Sequence, residues 1–110
     1  MSKRDSALYL QDILTATEKI EEYIQGLSAQ EFNKDWKTID AVIMNLEIIG
    51  EAARNMPEEI ISGHPEIPWG KMVSMRNKVM HEYFGVDEDI LWKTVTEDIP
   101  EVKKQIKGLV

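Results

Sequence analysis

The chain reads as an all-α protein, a bundle of four main helices plus a short C-terminal one, and three observations carry that reading. Apolar residues return every three or four positions through most of the length, the spacing that puts them on one face of a helix. No stretch alternates apolar and polar residues with the period of two that a half-buried strand needs. Proline and glycine gather between the periodic segments, and there is no internal repeat or low-complexity tract.

Leu10, Ile13, Leu14, Thr17, Ile20, Ile24 and Leu27 predict a first amphipathic helix over residues ~5–27, with Gly26 and Ser28 marking its end. A polar connector through Asn33, Lys34 and Asp35 follows, where an Asp or Thr38 is placed to cap the next helix. The second helix, residues ~38–55, carries Ile39, Val42, Ile43, Leu46, Ile49, Gly50 and Ala53 on one stripe. Gly50 in a helix interior costs about 1 kcal/mol against alanine, so its presence predicts a close neighbour. With Ala52 and Ala53 it makes a small-residue patch for tight packing within the fold or for a dimer seam.

Pro57, Gly63, Pro65, Pro68 and Gly70 make residues ~57–70 irregular, with one helical turn at Glu58–Ile61. A third helix runs from Trp69 to Tyr83 and breaks at Phe84-Gly85. Asp87 then reads as an N-cap, Val86 and Leu91 as a hydrophobic staple and Asp89 as a first-turn acid of a fourth helix over ~88–98. Pro100 starts the last short helix, whose Val102, Ile106 and Leu109 oppose the solvated Lys103, Lys104 and Lys107.

Residues 1–110 form a single domain, with 43% hydrophobic and 30% charged residues, the balance of a soluble globule. No run approaches the ~18 apolar residues of a membrane span, and Met1-Ser2-Lys3-Arg4-Asp5 lacks an apolar signal core. The absence of cysteine excludes disulfides and thiolate metal sites and fits a cytoplasmic protein. A formal net charge of −7 argues against non-specific tracking along nucleic-acid phosphates, so any RNA must be met by a local positive cleft.

The segment Arg76-Asn77-Lys78-Val79-Met80-His81-Glu82-Tyr83 concentrates the candidate chemistry. It sets a fixed cation, a group that titrates near neutral pH and a phenol on one short stretch, the parts needed to cut or modify a phosphodiester without a metal. On a helical wheel at about 100° per residue, Arg76 falls inside the apolar arc of Met72, Val73, Met75, Val79, Met80 and Tyr83. A permanent cation there needs a carboxylate or a ligand anion, and Glu47 and Glu51 of the second helix are the candidates. His81 lies about 140° away from Arg76 on a regular helix, in line with Asn77. Either the helix distorts near Tyr83, or a second copy completes the site by two-fold symmetry, which would also gather Lys71, Arg76 and Lys78 from both chains.

Arg76-Asn77-x-x-x-His81-x-Tyr83 resembles the arginine–histidine motif of the HEPN superfamily, in the longer form of the HepT-like ribonuclease toxins. The likeness extends over most of the chain: Asp40-Ala41-Val42 through Ile48-Ile49-Gly50-Glu51-Ala52, Pro65 to Trp69, Met75-Arg76-Asn77, Ile90 to Val95 and Asp98-Ile99-Pro100. Ser74 stands where that family has a glycine. The resemblance implies an HEPN-like bundle that forms a homodimer and cleaves RNA with no metal or other cofactor. It implies Arg76 and His81 as the catalytic pair with Asn77 in support, and Glu51 joins them as a supporting residue through its candidate pairing with Arg76. It further implies a nucleotidyltransferase antitoxin as partner, able to attach AMP to Tyr83 and so block Arg76 with an added phosphate and base.

Two other readings of the same residues stand beside it. One is a non-catalytic helical partner that binds a nucleotide or a nucleotidyltransferase through the same cleft; the other is a helical dimerisation module, which leaves Arg76 unmotivated. Tyr83 reads equally well as a core tyrosine ending its helix. Asp87-Glu88-Asp89 is better explained by a helix start than by a metal site. His64 reads as a solvent-facing loop residue, and Trp36, Trp69 and Trp92 as packing anchors rather than base-stacking platforms.

Overall fold

In a computed structural model, the backbone is described for residues 5–82 and 88–110, and the side chains for 5–77 and 89–110. Every regular element among the described residues is a helix, and there is no strand among them. Helix α1 spans Ser6–Ile24, α2 Ala29–Lys34, α3 Trp36–Arg54, α4 Glu58–Gly63 and α5 Trp69–Glu82. Helix α6 (Glu88–Lys93) passes through a π-turn at Thr94–Asp98 into α7 (Ile99–Lys107).

Local chemistry sets each boundary. Asp5 caps α1 by accepting from the Ala7 N–H at 2.9 Å. The helix stops at Ile24 because Gln25 leaves helical geometry and Gly26 takes a φ of 79°, open to glycine at little cost. What the sequence presents as a polar connector contains α2, begun by a reciprocal capping box. Ser28 Oγ accepts from the Glu31 N–H, and Glu31 accepts from the Ser28 N–H. Those bonds hold the Glu31 carboxyl below its ordinary 4.5, the backbone donor contributing most. Asp35 closes α2 and opens α3, accepting from Thr38 Oγ1 at 2.7 Å and from the Thr38 N–H at 3.1 Å. The Thr38 hydroxyl, then its N–H, hold Asp35 below its ordinary 3.8.

One expectation changes at the C-terminal end. The predicted fourth and fifth helices are continuous, since Asp98 and Ile99 both keep right-handed helical angles. Pro100 has no N–H, and its ring would press on the carbonyl of Thr96 in a regular helix. The wider π-turn relieves this, with the Ile99 N–H reaching back five residues to the Thr94 carbonyl. The proposed Asp87 cap and the Val86 side of the Val86–Leu91 staple lie outside the described residues.

Helix α3 is the central element, packed against α1 on one side and α5 on the other. Val42, Leu46 and Ile49 of α3 are sealed with Ile13 and Ile20 of α1, Met72 of α5 and Val95, Ile99, Val102 and Ile106 of the C-terminal helix. Phe32 of α2 joins this core and packs at a tilt of 44° against Trp92, ring centroids 5.1 Å apart. Buried Asn45 and Thr17 satisfy themselves on their own helices, Asn45 Nδ2 donating to the Ala41 carbonyl and Thr17 Oγ1 to that of Leu14. Trp69 is an anchor as expected, buried and donating its indole N–H to the His64 carbonyl. Trp36 is not, for at the first position of α3 it stands 79% exposed.

Candidate functional site

The site forms where α5 crosses α3. Gly50 has no side chain, and the aliphatic stem of Arg76 occupies the space a Cβ would need. A methyl added at Gly50 would fall 2.3 Å from Arg76 Cβ, 3.1 Å from Cγ and 3.0 Å from Cδ. So the glycine predicted to admit a close neighbour admits this one.

From that seat the guanidinium reaches the surface edge of the interface. Arg76 Nη2 stands 3.6 Å from Glu47 Oε1, and the arginine side chain retains 28% exposure. Nη1 donates to Asn77 Oδ1 at 3.4 Å. Nε is buried and meets no acceptor among the described residues. The cation is therefore neither sealed in the core nor loose in solvent. The side chain stays part-exposed, and such a donor fork can receive a phosphate or carboxylate.

Of the two carboxylates proposed for Arg76, Glu47 is the one that meets it. Glu51 turns along α3 instead, accepting from Asn55 Nδ2 at 3.1 Å and standing 4.0 Å from Arg54. Lys71, expected beside Arg76 in a basic cleft, is tied to Asp98 at 3.0 Å. Asn77 is exposed next to the guanidinium. The backbone of His81 belongs to α5, which continues as regular α-helix through Glu82. The side chains of Lys78 and His81, and all of Tyr83, lie outside the described residues. With α5 unbroken between them, positions 76 and 81 stay about 140° apart around its axis. The other alternative, a distortion near Tyr83, lies outside the described residues.

The wheel did not reveal that Met44 (57% exposed) and Ile48 (38%) would leave apolar surface beside Glu47. The available signal was their position on α3 opposite the main apolar stripe, one helical turn apart.

The all-helical architecture of the described residues is that of an HEPN-like helical fold. The chain belongs to the HepT-like ribonuclease family: residues 13–109 match the family described as Ribonuclease HepT-like. Ribonuclease is the enzyme class that this membership assigns. The chain is 50% identical over 107 residues to the protein named Probable ribonuclease HepT of Thermococcus cleftensis, covering 97% of both chains. It is 42% identical to a protein of Caldanaerobacter subterraneus subsp. tengcongensis named provisionally as an RNase, over 93% of this chain and 91% of that one. A protein of Methanocaldococcus jannaschii with a similar provisional name is 39% identical, over 100% of this chain and 91% of its own. No solved structure matches the chain.

Proposed function

We propose that the chain is the endoribonuclease toxin of a toxin–antitoxin pair, cutting RNA without a metal at a cleft shared by two copies. The observation that carries this reading is the Arg76 anchor, a cation fixed by Gly50 and Glu47 with an edge still open to solvent. In the reaction, His81 takes the proton of a ribose 2′-hydroxyl as its oxygen attacks the adjacent phosphorus. Arg76 stabilises the charge that gathers on the non-bridging oxygens of the phosphorane. The bond to the 5′-oxygen then breaks, and that oxygen receives a proton from His81 of the partner subunit. The products are a 2′,3′-cyclic phosphate and a free 5′-hydroxyl. Asn77 orients the phosphate or the histidine.

A homodimer answers the angular separation of positions 76 and 81, because a second α5 facing the first brings a histidine across to each arginine. Exposed Met44 and Ile48, flanking Glu47, support a seam along this face of α3. The same cleft would receive a nucleotidyltransferase antitoxin acting in the cytoplasm, with Tyr83 as the acceptor of AMP. No helix among the described residues is long and apolar enough to cross a membrane.

The test is incubation of purified protein with RNA in excess EDTA beside His81→Ala. Products ending in 2′,3′-cyclic phosphate from the unmodified chain, reduced at least about a hundredfold in the variant, are expected. Absence of cleavage from both would favour the non-catalytic binding partner instead.

A further inference from the structure

We infer that Glu47 is a positioning residue for Arg76, holding the guanidinium over Gly50 so that its open edge faces an incoming phosphate. The inference rests on the ribonuclease reading for the identity of the anion, though not for the geometry of the device.

An arginine has a long stem with many rotamers, so a stabilising cation at a reaction centre must lose that freedom before substrate arrives. Three contacts remove it here. The backbone of α3 at Gly50 lies so close to Arg76 Cβ, Cγ and Cδ that the stem has no room to swing inward. Nε is buried at the helix interface, which turns one edge of the guanidinium away from solvent. Glu47, one turn before Gly50 on the same face of α3, draws Nη2 along the helix and fixes the rotation of the head.

What remains is usable. Arginine carries five N–H donors, two on each terminal nitrogen. Glu47 and Asn77 each approach one terminal nitrogen, at 3.6 and 3.4 Å. Both distances exceed the roughly 2.7–2.9 Å of a tight charge-assisted bond. Glu47 therefore orients the head without saturating it, and an N–H on each terminal nitrogen stays available to an anion.

The carboxylate also repels the phosphate it helps to position, which gives the role a kinetic signature. Glu47→Ala should lower kcat by about ten- to a hundredfold while KM stays level or falls, because a repulsive charge leaves together with the alignment. Glu47→Gln keeps an oxygen of the same reach beside Nη2 and should recover most of the lost kcat. A residue that merely held the fold would change Tm and leave that split unseen. An unchanged or raised kcat in Glu47→Ala, or an equal loss in Glu47→Gln, overturns the inference.

A readout independent of turnover keeps this apart from the nuclease reading. The Nε–H resonance of Arg76, assigned by its disappearance in Arg76→Lys, should exchange slowly with water in the unmodified protein. It should broaden or vanish in Glu47→Ala and persist in Glu51→Ala. Persistence in Glu47→Ala overturns the positioning role whether or not the chain cuts RNA. Should the unmodified chain cut nothing while the resonance behaves as described, the nuclease reading falls and the positioning stands.

Discussion

Gly50 shows how much one missing methyl group sets. Taken as a helix residue it is a defect, and replacing it by alanine would gain about 1 kcal/mol of helix propensity. Against that stands a Cβ placed 2.3 Å from the Cβ of Arg76, a short and inflexible part of that side chain. Overpacking of this kind costs about 1–3 kcal/mol, so the steric term wins. Gly50→Ala is expected to lower stability by about 1–2 kcal/mol in denaturant unfolding, and to displace Arg76. A more stable variant would mean that α5 does not lie on α3 as described. At this scale the sequence was informative up to a point: Arg76 inside an apolar arc demanded a carboxylate. Which of Glu47 and Glu51 supplied it was not legible, because a wheel gives angles around one helix and not the register between two.

At the scale of the element, the long periodic helices were legible, and the short or irregular ones were not. Helix α2 has six residues, too few to display a hydrophobic period, and its one sequence signal was the Ser28-x-x-Glu31 box. Pro100 sits in the first turn of α7, where proline is favoured, but a π-turn joins that helix to α6 without a break, which the sequence does not signal. Caps outweigh periodicity at these boundaries, and they titrate. Asp35 is held below its ordinary 3.8, so the stability it contributes is present above that value and lost as pH falls through the lower folded one. Asp35→Ala is expected to lower Tm at neutral pH, with the gap to the unmodified chain closing as acid protonates the cap. Thermal melts at a series of pH values down to about 2 check this, and a gap independent of pH would show that the carboxylate does not act as a charged cap.

At the scale of the molecule, a core shared by α1, α3, α5 and the C-terminal helix holds the Arg76 crossing rigid while its outer edge stays open. The all-α architecture followed from periodicity alone. The surface that would complete the site did not, since periodicity does not say what covers Met44 and Ile48, which stand exposed on α3. If that surface is a two-fold seam, Met44→Glu with Ile48→Glu should yield a monomer by sedimentation, with the helical circular-dichroism spectrum retained. RNA cleavage should fall with the loss of the dimer. A double variant that remains dimeric and active would move the seam elsewhere.

The central claim is that the chain cleaves RNA by directing the substrate's own 2′-hydroxyl at the phosphate beside Arg76. An oligoribonucleotide with one cleavage position mapped, compared with the same oligomer carrying a single 2′-deoxy nucleotide there, tests it most directly. Cleavage in EDTA is predicted to vanish at the deoxy position alone and to continue elsewhere. Cutting at the deoxy position, or products bearing 5′-phosphates, would contradict it.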